Sequence, residues 1–225
     1  MKQYINWSIA SALLLSQSIV HAGGSGLSGS GVPSNMKFYA GASAGLSSHD
    51  GACNGEIEPL YSCDDKDTGY KVFGGVRLDP DQHASSYMLP AIGLEAGYID
   101  FGENKASGKE PPRGDYKRES NNNISGIYAA AVGYLPVSAN TEVMGKAGAL
   151  FGTQESSVKT DYTNPITDNF SNDDVSALVG VGVQHKFSPN LAVRGEYERA
   201  LKVGKDTVNE TDASLLSVGA VFSTY

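Results

Sequence analysis

The chain has 225 residues, 17 basic and 25 acidic side chains for a formal net charge of -8, and 27 glycines. That length suits one domain, and the acidic balance argues against nucleic acid, whose phosphates need a basic surface. Mean hydropathy is -0.25, and past the N-terminus no apolar run reaches the ~18 residues of a membrane helix. Barrel strands, which alternate, escape that test.

The first 22 residues read as an export signal. Lys2 supplies the charged n-region, Ile9 to Val20 the apolar core, and Val20-His21-Ala22 a small-residue cleavage site. Removal after Ala22 takes one lysine and leaves a formal charge of -9. Residues 23–35, "GGSGLSGSGVPSN", read as a flexible periplasmic lead-in. Residues 36–225 are assigned to one barrel domain.

From there, eight segments alternate with period two. In "KFYAGASAGL", Phe38, Ala40, Ala42, Ala44 and Leu46 share a face. The next groups Val72, Gly74, Val76 and Leu78 against Lys71, Phe73 and Arg77. "GLEAGYIDFG" groups Leu94, Ala96 and Tyr98 and leaves Glu95 opposite them, between Gly93 and Gly97. The fourth is read as placing Tyr128, Ala130, Val132 and Tyr134 on the apolar face. The fifth opposes Val143, Ala147, Ala149 and Phe151 to Met144 and Lys146. The sixth groups Ala177, Val179, Val181 and Val183, with Gln184 opposite. The seventh sets Leu191, Val193 and Tyr197 against Arg194, Glu196 and Glu198. The last groups Leu216, Val218, Ala220 and Phe222.

The segment number is even and each segment has the length of a tilted transmembrane strand. Charge is nearly absent from the apolar phase; only His185 and Arg199 break it, at segment ends. Phe38, Tyr98, Tyr134, Phe151, Tyr197 and Phe222 are expected to form interfacial girdles. Ser47 to Asp67, Gly102 to Asn123 and Thr153 to Asp174 read as long polar outer loops, while "LPVSAN" and "FSPN" are short turns. The pattern implies an eight-stranded antiparallel up-and-down barrel of the outer membrane, with both termini periplasmic. A soluble exported sandwich would need the apolar phase turned inward.

Cys53 and Cys63 lie close together in an exported chain, so a disulfide is expected. Inward charges are expected at Lys71, Arg77, Lys146 and Arg194 against Glu95, Asp100, Glu196 and Glu198. An eight-stranded barrel is filled by its own side chains, and unpaired buried charges are costly. Glu95 is therefore read as structural, with its flanking glycines leaving room for lysine and arginine arms.

In order and spacing, "FYAGASAGL", "FGGVRL", "GLEAGYIDFG", "AVGYLPVSANTEVMGKAGALF", "GVGVQHKFSPNLAVRGEYERA" and "LLSVGAVFSTY" resemble the transmembrane domain of OmpA-type outer-membrane proteins, roughly from Lys37 to Tyr225. The chain ends at the barrel, so the periplasmic peptidoglycan-binding domain of longer members is not expected. The resemblance implies a central acid–arginine pair at Glu95 and Arg194, and an interior base at Lys146. It places the family's second lysine–glutamate couple at Ala131 and Gln184, which carry no charge here. Family members end on an aromatic assembly signal; here that role falls to Phe222 and Tyr225, with Thr224 in the matching register.

The resemblance implies a surface protein acting in adhesion, host-factor binding or envelope integrity through its outer loops. Its expected partners are outer-membrane lipid and lipopolysaccharide, the barrel-assembly machinery, periplasmic chaperones and a host-surface ligand. A small pore is the alternative, since such barrels can leak solutes. An enzyme is not expected, because His49, His83 and His185 sit in no Ser–His–acid grouping. No cofactor is expected either. "DDKD" lacks the spacing of a Ca²⁺ loop.

Overall fold

A computed structural model of the chain describes residues 35–50, 60–64, 66–80, 90–109, 117–160, 166–203 and 211–224. The expected export signal, most of the lead-in, Cys53 and Tyr225 lie outside the described residues. Among the described residues nine strands form: β1 (Met36–Asp50), β2 (Leu60–Asp64), β3 (Lys66–Leu78), β4 (Ala91–Lys109), β5 (Lys117–Pro136), β6 (Thr141–Thr160), β7 (Ile166–Lys186), β8 (Leu191–Val203) and β9 (Thr211–Ser223). All pairings are antiparallel. β1 lies between β3 and β9, and the β4–β5 pairing closes the ring. Eight strands make the barrel. β2 stands outside it, against the outer part of β4.

The alternation sets which way each side chain points. Leu46, Leu94, Val181 and Val218 are each more than half exposed, and they ring the outside. In water such a band would be costly; in lipid it is the matched surface. The two ends differ. β5–β6 and β7–β8 are joined at one end by the short turns Val137–Asn140 and Phe187–Asn190, closed by backbone bonds such as Val137 N to Thr141 O at 2.9 Å. This is the periplasmic end, and it also holds Met36 and Ser223.

At the outer end the strands run on. β5, β6 and β7 span 20, 20 and 21 residues, where a crossing needs ~9–11. The stretches expected as long loops are therefore partly paired hairpins, with roughly 30 Å of extra strand length. Backbone pairing satisfies amides that a loop would leave to water. A bulge between Asp100 and Glu103 turns β4 away from β3 and towards β2. Gly102 sits there with φ of 73°, and a Cβ would meet Asp67 Oδ2 at 2.9 Å. Glycine alone takes this conformation without strain.

Candidate functional site

The lumen is filled in three tiers, each built by the inward phase of several strands. The middle tier centres on Glu95 of β4. Its Oε1 accepts from Lys146 Nζ at 2.6 Å and from the Tyr128 hydroxyl at 2.8 Å. Its Oε2 accepts from Arg194 at 2.7 Å and from the Tyr39 hydroxyl at 3.1 Å. Lys146 also meets Glu198 at 2.8 Å and Glu196 at 3.0 Å. Lys71 donates to Glu196 at 2.5 Å and to Glu198 at 2.6 Å. Three cations and three carboxylates thus form one neutral network, and every member is buried. Full pairing is what lets ions persist in so dry a place.

Arg194 shows how the chain holds its charges. Beyond Glu95 it donates from Nε to Gln184 at 2.9 Å and from a terminal nitrogen to the Tyr134 hydroxyl at 3.3 Å. Its guanidinium lies 4.8 Å from the Phe73 ring centroid and 5.3 Å from that of Tyr39. Glycines make this wall possible. A Cβ at Gly97 would meet Phe73 Cβ at 2.9 Å, and one at Gly75 would meet the Tyr39 hydroxyl at 2.5 Å. The space beside Gly97 is taken by the backbone of Val72 and the Cα and Cβ of Phe73.

The periplasmic tier is a second ionic cluster. Arg77 makes a two-pronged pair with Glu142, both bonds at 2.7 Å, and meets Asp79 at 2.5 Å. Lys186 reaches Glu142 at 2.9 Å and Lys37 reaches Asp79 at 2.8 Å. The outer tier is mostly apolar, with buried Ser47, His49 and Ser176 at the same level. Ile99, Phe101, Ile124, Leu150, Leu178 and Leu215 are fully buried and belong to one core cluster. Each lies outward along its own strand from a member or neighbour of the middle tier. A solute crossing the barrel would meet two paired ionic layers and then a largely apolar one.

Two expected site residues fall elsewhere. Asp100 does not join the lumen network. It shares the phase of Leu94, Ala96 and Tyr98, and its Oδ1 accepts from the Gly102 amide at 2.7 Å within the bulge. Counting by parity from Glu95 would have excluded it. Tyr134 is not an interfacial aromatic but a buried lumen residue, 1% exposed. The whole fourth segment is in the opposite phase, with Tyr128, Ala130 and Val132 inside and Ile127, Ala131 and Leu135 facing out. Both phases of that segment are free of charge, so alternation could not choose between them. The demand of Glu95 and Arg194 for hydroxyl partners does. The same phase puts Ala131 on the lipid face, away from Gln184.

Glu142 was missed by sequence reasoning, although it shares parity with Met144 and Lys146 on β6. Its place beside a turn disguised it as a loop charge. Of the expected girdle, Phe38, Phe151, Tyr197 and Phe222 face out and are exposed. Tyr98 also faces out, with its ring 6.2 Å from that of Tyr70. At the seam, Thr224 donates its amide to Phe38 O at 2.8 Å, so it is tied to β1. Cys63 lies on β2, paired with Ala106.

Residues 33–224 match the family described as the OmpA-like transmembrane domain. The chain belongs to that family. Outer membrane protein P5 of Haemophilus influenzae is 30% identical over 188 residues, covering 77% of this chain and 47% of P5. A P5 of strain Rd is 28% identical over 176 residues, with 46% of it covered. The chain spans about half the length of the curated relatives it matches. Among solved structures, Ail of Yersinia pestis is similar with a TM-score of 0.49 and 13% identity, over 84% of this chain and 99% of Ail. Neisserial surface protein A is similar with a TM-score of 0.41 and 13% identity, over 82% of this chain and 96% of its own. This OmpA-like barrel is an outer-membrane protein of Gram-negative origin.

Proposed function

We propose that this OmpA-like barrel is a closed membrane anchor that presents an extracellular β-sheet for surface contacts in adhesion, host-factor binding or envelope integrity. One observation carries the reading. β4, β5, β6 and β7 continue as paired strands well past the length needed to cross the bilayer, while the lumen beneath them is filled. Paired strands cost less to order on binding than loops do, because most of their backbone entropy is already lost. A Cys53–Cys63 disulfide would stiffen the neighbouring outer segment in the same way.

The pore alternative is disfavoured by the filled lumen, in which two fully paired ionic clusters are followed by a mostly apolar outer tier. An enzymatic role finds little support. His185 lies on the outward face near the periplasmic end, where its Nδ1 meets the Thr141 hydroxyl at 2.9 Å and its ring packs on Phe187. That is the setting of an interfacial anchor.

The test is attachment of cells that display the full chain to an epithelial monolayer, beside cells displaying a variant with the β4–β5 and β6–β7 hairpins shortened to the bilayer edge. Surface amounts are matched by antibody to an epitope tag. Attachment that drops to the level of the empty strain supports the reading. Equal attachment by both strains would remove it.

A further inference from the structure

The β4–β5 hairpin is braced on both sides. Past the Asp100–Glu103 bulge it pairs from Glu103 with Asn123 to Lys109 with Lys117. Near its outer end β2 pairs along β4, from Leu60 with Gly108 to Asp64 with Lys105, and β6 pairs along β5. From Asp100 to Lys109 the strand covers roughly 30 Å. Its end is therefore carried well beyond the membrane band on a paired support.

The seven residues that join the two strands read Glu110-Pro111-Pro112-Arg113-Gly114-Asp115-Tyr116. They lie outside the described residues, and the paired Lys109 and Lys117 fix where they are attached. Pro111 and Pro112 have no amide hydrogen to give a neighbouring strand. After them come a guanidinium, a residue with no side chain and a carboxylate. Arg113 offers a planar fork of donors that suits a carboxylate. Asp115 offers hard oxygen ligands that suit Mg²⁺ or Ca²⁺.

Arginine, glycine and an acid follow one another once more, at Arg194-Gly195-Glu196, but there both charges are buried in the lumen network. The run at 113–115 belongs to an outer connection. From Lys105 to Arg118 the sequence has five basic and two acidic side chains, in a chain that is acidic as a whole. This hairpin end is a basic island that an acidic surface would attract.

We infer that Arg113, Gly114 and Asp115 are an adhesive tripeptide for a host cell-surface receptor of the integrin class. Such a receptor holds a divalent cation short of one ligand, which Asp115 supplies, beside an acidic pocket, which Arg113 enters. The braced strands limit the freedom lost when the hairpin end is held. The inference rests on the surface-contact reading above and names the partner class.

The test uses the refolded full chain in detergent micelles and the immobilised ectodomain of an integrin that binds Arg-Gly-Asp peptides. Binding is read by surface plasmon resonance in Mg²⁺ buffer. The parent is expected to bind saturably and to be released by EDTA. A capped Gly-Arg-Gly-Asp-Ser peptide is expected to compete, and Gly-Arg-Gly-Glu-Ser is not. Asp115→Glu keeps the charge but moves the carboxylate by one methylene, and is expected to weaken binding at least about tenfold. Arg113→Lys keeps the charge but loses the fork, and is expected to weaken it too. Both variants are checked for folding by circular dichroism.

No receptor binding by the parent overturns the proposal. So does equal binding by Asp115→Glu, which would mean charge attraction without the cation contact. Binding that survives EDTA overturns it as well. If receptor binding fails but shortened hairpins still abolish attachment to the epithelial monolayer, this inference falls and the surface-contact reading stands. If shortening also leaves attachment unchanged, both readings fall.

Discussion

Arg77 stacks on Tyr134, its guanidinium 4.5 Å from the ring centroid, while the hydroxyl of the same ring takes a hydrogen bond from Arg194. Tyr134 thus joins the periplasmic ionic cluster to the middle network. Tyr134→Phe keeps the stack and removes the acceptor, and is expected to cost about 1 kcal/mol. Tyr134→Leu removes both and is expected to cost more. Urea unfolding in lipid vesicles measures the difference. A lipid-facing residue would show the reverse order or no change for Phe.

Arg194 is expected to matter more than an arginine outside the lumen network. Arg194→Ala leaves Glu95 without its arginine in a buried site, and breaking such a pair costs about 3 kcal/mol or more. Arg113→Ala, in the β4–β5 connection, is the control. Its unfolding midpoint is expected to match the parent, with Arg194→Ala well below. Coincident midpoints for the two variants would count against the network.

Much of this architecture was legible because charge is rare on one phase of most strands. Lys71, Lys146, Arg194, Glu196 and Glu198 could be placed inside by parity alone. The fourth segment was not legible, since alanine, glycine and tyrosine on both phases carry no clear preference. The outer apolar tier was hidden for a related reason. Ile99, Ile124 and Leu178 are apolar residues inside a lumen where polar ones were expected, so they broke no visible pattern. The outer hairpins read as loops because their polar sequence resembles that of loops, and pairing depends on a partner strand distant in the chain.

Ala131 tests the corrected phase. As a lipid-facing residue near mid-strand, Ala131→Lys is expected to destabilise the barrel by about 2–4 kcal/mol. Adding Gln184→Glu should give no rescue, because position 184 points into the lumen. A rescued double variant would place the two side chains together inside, contrary to the structure.

Asp79, just past β3 at the periplasmic end, offers a pH test. Partial burial pushes its carboxyl up, but the Lys37 ammonium and the Arg77 guanidinium outweigh that and hold it below the usual aspartate range. The unfolded chain then binds the proton more readily, so the pair stabilises the fold above about pH 4 and the contribution is lost as pH falls through the depressed value. The gap in unfolding midpoint between parent and Asp79→Asn is expected at neutral pH and should close in acid. A gap that widened in acid would reverse the sign.

The closed lumen is the central claim, and planar-bilayer conductance of the refolded protein tests it most directly. The parent is expected to be silent. A double variant that removes Glu95 from the network and opens the outer tier, Glu95→Ala with Leu178→Ser, is expected to conduct. Steady conductance by the parent protein would contradict a closed anchor and make the barrel a pore.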